Sequence, residues 1–342
     1  MRRAVMAKGR ITNDNGTPVA ATIVYAPFST NANAADYGRF SSGVTSIVTD
    51  KHGWPTNENG EFEVPVIPGR GVLVAKTKSD NLIRGFGADD IDEFKGSSDR
   101  VTVGFYIRPD EFHSVKAIDV PKGVKSVEVA MRAKEGEFFT VRFIGPDGQP
   151  LNNVGAQGLT SSRRYQRFDK PFATARGFAP GKTREVFFST ADRKLRRIVH
   201  ITAQKDQKEL TVQLLPVTYV RGRLVDTEDR PVGEVTIRAG RVSGGILNIG
   251  SPVKTDAEGR FEIALSVGAK YDITVVTADS KQFRIVEDLE NAKPKHVDFG
   301  DIILDESAAQ WSVLKAKQKP KVSANLPTAQ PNSDAAISFP SR

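Results

Sequence analysis

Short runs of alternating apolar and polar residues recur along most of this chain. Val127, Val129 and Met131 alternate with Glu128 and Ala130, and Leu210, Val212 and Leu214 alternate with Thr211 and Gln213. Farther on, Phe261, Ile263 and Leu265 face one way while Glu262 and Ala264 face the other. A period of two marks a β-strand with one face against a core and the other toward water. Further strands are expected just after glycines, around 72–75 and 271–275.

The strand openings repeat. Gly9-Arg10-Ile11-Thr12-Asn13-Asp14-Asn15-Gly16-Thr17-Pro18-Val19 is matched position for position by Gly222-Arg223-Leu224-Val225-Asp226-Thr227-Glu228-Asp229-Arg230-Pro231-Val232. Val141-Arg142-Phe143-Ile144-Gly145-Pro146-Asp147-Gly148-Gln149-Pro150-Leu151 is a third copy, with Val141 in the place of the glycine. Each copy predicts a strand, a polar turn and a proline leading into the next strand. Asp, Asn and Gly suit the turn through side-chain hydrogen bonds to the backbone and tolerance of positive φ. The outer copies share a second element: Thr56-Asn57-Glu58-Asn59-Gly60-Glu61-Phe62-Glu63-Val64 aligns with Thr255-Asp256-Ala257-Glu258-Gly259-Arg260-Phe261-Glu262-Ile263. It reads as a hairpin turn feeding a half-buried strand.

An internal repeat outranks single motifs as evidence of architecture. The expected fold is all-β: three tandem antiparallel β-sandwiches of prealbumin or immunoglobulin type. The first covers 5–135 with an insertion at 28–55, the second 136–216 and the third 217–306, with only a few residues between them. Past Glu306 the pattern stops, and Lys315, Lys317, Lys319 and Lys321 followed by Pro, Ser, Asn and Ala predict a disordered tail over 307–342.

At 342 residues the chain is too long for one sandwich and suited to two or three. The 29 Gly and 19 Pro residues fit a turn-rich β protein better than a helical one. No run approaches the roughly 18 consecutive apolar residues of a membrane helix. The first nine residues are basic but lack an apolar stretch behind them, so no signal peptide is read there. Because the chain opens inside or just before a strand, a missing N-terminal region is expected. There are no cysteines, which excludes disulfides and thiolate chemistry and leaves the compartment open. The net charge of +8 favours weak attraction to polyanions without informing the fold.

The pattern Gly-x-apolar-x-Asp-x-x-x-x-Pro-Val followed by Thr-Asp-x-x-Gly-x-Phe-x-Ile resembles the carboxypeptidase regulatory-like (transthyretin-like) domain. It fits 222–304 well and 9–87 with one long insertion, while 152–185 lacks the Thr-Asp-x-x-Gly-x-Phe turn. The middle copy is therefore expected to be a divergent, immunoglobulin-like sandwich. The tandem arrangement is similar to repeat-rich parts of large bacterial cell-envelope proteins. The resemblance implies sandwiches of about seven strands, brings no catalytic residues, and implies an extracytoplasmic setting as part of a larger protein.

The common catalytic signatures are missing. His52, His113, His200 and His296 are far apart, none with a His or Glu partner at ligand spacing, and no His-Glu-x-x-His or Gly-x-Ser-x-Gly occurs. Gly177-Phe178-Ala179-Pro180-Gly181-Lys182-Thr183 ends like a phosphate-binding loop but is one residue short between its glycines. It also leads into a strand-like run, where phosphate binding needs a helix N-terminus. Asp14, Asp226, Asp229 and Asp256 read as turn residues rather than calcium ligands, and the Asp89, Asp90, Asp92, Glu93 run, with Asp80 and Asp99 nearby, reads as a solvated loop. No enzyme, metal or cofactor is expected.

Two features stand above background. Tyr25, Phe28, Tyr37, Phe40 and Trp54 crowd the first insertion, and exposed aromatic rings on loops suit carbohydrate; Tyr37, Phe40 and Trp54 are the candidate glycan contacts. Between 163 and 197 there are eleven Lys or Arg against three acids. There Arg163, Arg164, Arg167, Arg193, Lys194, Arg196 and Arg197 are candidate polyanion contacts through counterion release. Each has a plainer reading, as loop packing and as a solvated surface. The favoured function is a monomeric, non-catalytic structural or interaction element with a protein or glycan partner and no specific nucleic acid. Carbohydrate binding is the first alternative and polyanion binding the second.

Overall fold

The computed structural model describes residues 5–28, 30–34, 53–84, 112–160, 165–241 and 252–324. Six sheets pair into three sandwiches. In the first, β1 (Val5–Thr12) lies between β4 (Glu61–Val66) and β7 (Ser126–Arg132). The facing sheet runs β3 (Trp54–Pro55), β2 (Ala21–Pro27), β5 (Gly69–Thr77), β6 (Ser114–Val120). In the second, β8 (Glu137–Ile144) lies between β11 (Phe172–Phe178) and β14 (Glu209–Gln213). Opposite it run β10 (Gln166–Phe168), β9 (Val154–Gln157), β12 (Thr183–Thr190), β13 (Leu195–Thr202) and β15 (Leu215–Pro216). In the third, β16 (Thr218–Val225) lies between β19 (Arg260–Leu265) and β22 (Lys295–Ile303). Its partner sheet runs β18 (Val253–Lys254), β17 (Thr236–Arg241), β20 (Ala269–Val276), β21 (Gln282–Asn291).

The sandwiches are not wholly antiparallel. Each opening strand pairs parallel with the closing strand of the same sandwich: Ala7 opposite Val127, Val141 opposite Leu210, Val220 opposite Val297. Period-two patterning fixes which side chains enter the core but is blind to the direction of the neighbour. Each core draws on both sheets. Val5, Ala7, Ile11, Phe62 and Val64 meet Ile23, Tyr25 and Leu73 in the first, and Phe139, Val141 and Phe143 meet Val186 and Phe188 in the second.

The repeated turns are closed by one device. Asn13 Oδ1 accepts the N–H groups of Asn15 and Thr17 at 3.1 and 2.8 Å, and Asp226 Oδ1 those of Glu228 and Arg230 at 2.8 and 2.9 Å. Asn57 and Asp256 do the same in the second shared element. There Gly60 and Gly259 take φ values of 72° and 77°. An added Cβ would fall 2.4 and 2.3 Å from the carbonyl oxygens of Ile11 and Leu224, so only glycine closes these hairpins.

The stretch expected as a tail from 307 is ordered structure as far as 324. Leu314 is buried in the third core, β23 (Lys315–Ala316) pairs with the end of β22, and β24 (Lys321–Ala324) pairs with its beginning. Alternation is too short in these two strands to be seen in the sequence.

The connections between sandwiches are built joints. At the first, the backbone of Asn81–Ile83 bonds to Lys134 and Gly136 at 2.8 and 2.9 Å, with Leu82 bridged to Glu135. At the second, Phe187 and Ile198 leave their own sandwich and enter the core of the third. Burying two such side chains stabilises the joint by roughly 1.5–3 kcal/mol each. Ile198 also donates its N–H to Val267 O at 2.8 Å.

Candidate interaction surfaces

The described histidines do not converge. His113 is 2% exposed, its Nδ1 accepts the N–H of Thr77 at 3.1 Å, and its Nε2 has no hydrogen-bond partner. Burial, reinforced by the nearby cations Arg84 and Lys76, pushes its pKa down to about 4, so at neutral pH it is an uncharged packing group. His200 lies 3.5 Å from Glu185 across β12 and β13, and His296 stacks on Tyr219 in the third sandwich. His52 lies outside the described residues. Among the described residues no group of three or more His, Cys, Asp or Glu is placed to hold a metal ion. The Gly177–Thr183 segment joins two strands, β11 and β12, through a turn closed by Lys182 N–H on Ala179 O at 3.1 Å. Asp89, Asp90, Asp92, Glu93 and Asp99 are outside the described residues.

The aromatic cluster divides. Tyr25 is fully buried in the first core, and Phe28 is fully buried with Val24, Val72, Val74 and Phe112. Trp54, in β3, is half-buried and packs against the first core. Tyr37 and Phe40 lie outside the described residues. The ring that the structure does place among the candidate glycan contacts thus has a packing role.

The basic stretch is spread over several surfaces and two joints. Arg184 lays its guanidinium 4.0 Å from the ring centroid of Phe178 and donates to the carbonyl oxygens of Arg176 and Gly177. Its pKa is lowered to about 10, mainly by burial and then by Arg84. Arg176 reaches across the first joint to Asn81 Oδ1 at 3.0 Å. Arg196 reaches across the second joint to Ala264 O at 3.3 Å, while its neighbour Arg197 turns to Gln213 O at 2.9 Å. Successive residues of β13 point to opposite faces, so these two arginines do not share a surface. Arg167, Arg193 and Lys194 are exposed; Arg163 and Arg164 lie outside the described residues.

Two kinds of surface remain open. The outer face of the β11–β8–β14 sheet carries Phe138, 72% exposed, and Phe172, 41% exposed, among Thr140, Thr174 and Thr211. The same face carries the Arg142–Glu209 ion pair, and corresponding faces of the other sandwiches carry ion pairs as well: Lys8–Glu63 in the first, Arg221–Asp298 and Arg223–Asp301 in the third. The second kind is the sheet edge. Among the described residues β7 and β14 are edge strands of their sheets, whereas the same edge of β22 is capped by β23 and β24. Neither surface was signalled by residue type, because an exposed Phe and an unpaired strand both look ordinary in a sequence.

No protein-family model matches the chain, and no curated protein matches it. Among solved structures, the TIE protein of Bacillus anthracis aligns with 88% of this chain and 51% of its own length, at 13% identity and a TM-score of 0.23. A streptococcal ancillary pilin aligns with 83% of this chain and 97% of its own length, at 13% identity and a TM-score of 0.20. The major pilin subunit BcpA of Bacillus cereus aligns with 83% and 93%, at 10% identity and a TM-score of 0.21. A 9R-lipoxygenase from Cyanothece shares 17% identity over 27% of this chain and 18% of its own length, at a TM-score of 0.20. The chain thus spans about half the length of the TIE protein and less than a fifth of the lipoxygenase. Likenesses at this level assign no function, and the fold rests on the strand pairing itself.

Proposed function

We propose that this chain is a non-catalytic spacer and interaction element: three carboxypeptidase regulatory-like or immunoglobulin-like sandwiches in series, divided near 135 and 216, within a larger exported or envelope-associated bacterial protein. The observation that carries the reading is the second joint, where Phe187 and Ile198 of one sandwich complete the core of the next. A shared core, backbone bonds across the seam and the Arg196 tether oppose hinge motion between the two bodies. Short connections with buried contacts are what a spacer needs, since they hold its ends at a set separation. The first joint repeats the logic with the Asn81–Ile83 ladder and Arg176. The regulatory-like affiliation is supported by the paired turn elements closed by Asn57 with Gly60 and by Asp256 with Gly259. The basic residues serve this reading as joint ties.

Small-angle scattering on the whole chain tests it. An elongated particle whose profile is unchanged between low and high salt is the expected result. A single compact globule, or a broad distribution of bent forms, would sink the reading. Peptidase or glycosidase turnover by the purified chain, abolished by changing one of its four histidines, would also overturn it.

A further inference from the structure

The edge of β7 that no described strand occupies matches the edge that the chain's own last described strand already holds. The three closing strands are equivalent through the repeat. Lys8, Thr140 and Arg221 stand one residue before the matched positions Gly9, Val141 and Gly222, and their parallel partners are Glu128, Glu209 and Asp298. An acid therefore recurs at one register position in all three. On β22 the added strand β24 sets Lys321 opposite Asp298, Val322 opposite Val297 and Ser323 opposite His296.

Carrying that register to β7 places Lys321 opposite Glu128, Val322 opposite Val127 and Ser323 opposite Ser126. Charge and apolar pairing are both kept. On β14 the same register sets Val322 against Lys208 in place of an apolar residue, so that edge fits poorly. β7 carries no proline and pairs with β1 over seven positions without a bulge, and its exposed charge Glu128 is the one that Lys321 would meet. Val127 beside it is only partly buried.

β24 is lightly held where it sits. All four of its residues are exposed, and Val322 is 63% exposed. Main-chain bonds hold it with little side-chain burial, which places it among the first segments to open locally.

We propose that β24 of one copy adds to the β7 edge of a second copy, joining sandwich three of one chain to sandwich one of the next. The contact is head-to-tail, so it propagates as an open row of copies instead of closing as a pair. Pairing within the chain has an effective concentration in the millimolar range, so the exchanged form is a minority at about 0.1 mM and grows with local crowding.

The absence of cysteine makes the test clean. Ser126→Cys and Ser323→Cys, in separate full-length chains mixed at about 0.1 mM and oxidised slowly, withdraw the exchanged form as it appears. The expected result is a mixed disulfide at twice the chain mass, several-fold above either variant alone. Adding Lys321→Glu to the second chain should cut the product several-fold, and adding Glu128→Lys to the first should restore it. His296→Cys with Ser323→Cys in one chain should form an intrachain link at unchanged mass. A mixed product no greater than the single-variant background, or one indifferent to Lys321→Glu, overturns the proposal. Failure of the intrachain link does so too, because it removes the seat from which the register is taken. Preferential linking of Glu128→Cys with Ala130→Cys would replace it by a β7-to-β7 pair.

Discussion

Acid should loosen the seam around His113, because the imidazole is held there without its proton. It is buried beside Arg84 and Lys76, with Arg184 of the second sandwich adding to their effect and Asp80 opposing it. Its pKa falls from 6.5 to about 4 on folding. Between those values the unfolded chain binds a proton that the folded chain refuses, so stability is full above pH 6.5 and declines as the pH drops toward 4. At about 1.4 kcal/mol per pH unit, the loss attributable to this residue is about 3 kcal/mol. Urea unfolding at pH 7, 5.5 and 4.5 reads it, with His113→Asn as the reference. Asn retains an acceptor for the Thr77 N–H and cannot be charged. Carboxylates titrate alike in both proteins, so the difference isolates the imidazole. Between pH 7 and 4.5 the wild type should lose about 2 kcal/mol more than the variant. Parallel curves would show that His113 accepts its proton without cost and that burial does not govern it.

Three further outcomes follow from the joints and turns. Gly268→Ala adds a Cβ 2.1 Å from Ile198 O at a φ of 101°, and should cost roughly 1–3 kcal/mol in thermal unfolding; an unchanged melting temperature would mean that the seam relaxes freely. Phe187→Ala should cost about 3–5 kcal/mol and split one calorimetric transition of the second and third sandwiches into two; retained co-melting would show that the shared cluster does not couple them. Arg196→Ala with Arg197→Ala should leave elution from a heparin column at physiological salt unchanged while lowering stability; a large shift in elution would revive polyanion binding.

What the sequence revealed was whatever is written locally. Asn13, Asn57, Asp226 and Asp256 close their turns within four residues, and Gly60 and Gly259 mark hairpins that tolerate no side chain. Alternation in β7, β14 and β19 likewise assigns core faces directly. Long-range facts left no such trace. Phe187 and Ile198 alternate like any strand residues, yet the face they occupy is outer to their own sandwich and inner to the next. Arg176, Arg184 and Arg196 looked like free charge because nothing in their neighbourhood along the chain reveals an acceptor 7 to 95 positions away, such as Asn81 or Ala264. Trp54 illustrates the same limit: a ring beside polar loop residues can be wet or packed, and only the fold decides.

The parallel pairing of opening and closing strands has a mechanical consequence. Two parallel neighbours start at the same end of a sandwich and finish at the same end, so the chain enters by the start of β1 and leaves by the finish of β7 at the opposite end. Tension applied to the two ends of the sandwich then acts along the β1–β7 seam. All of its rungs from Met6–Ser126 to Thr12–Arg132 bear the load together in shear, instead of opening one after another like a zipper. The same holds for β8 with β14, whereas in the third sandwich β24 turns back along β22 and brings the last described residue to the end where β16 starts. The first two bodies thus meet extension with their strongest geometry, while in the third a pull on the end of the described chain acts first on β24.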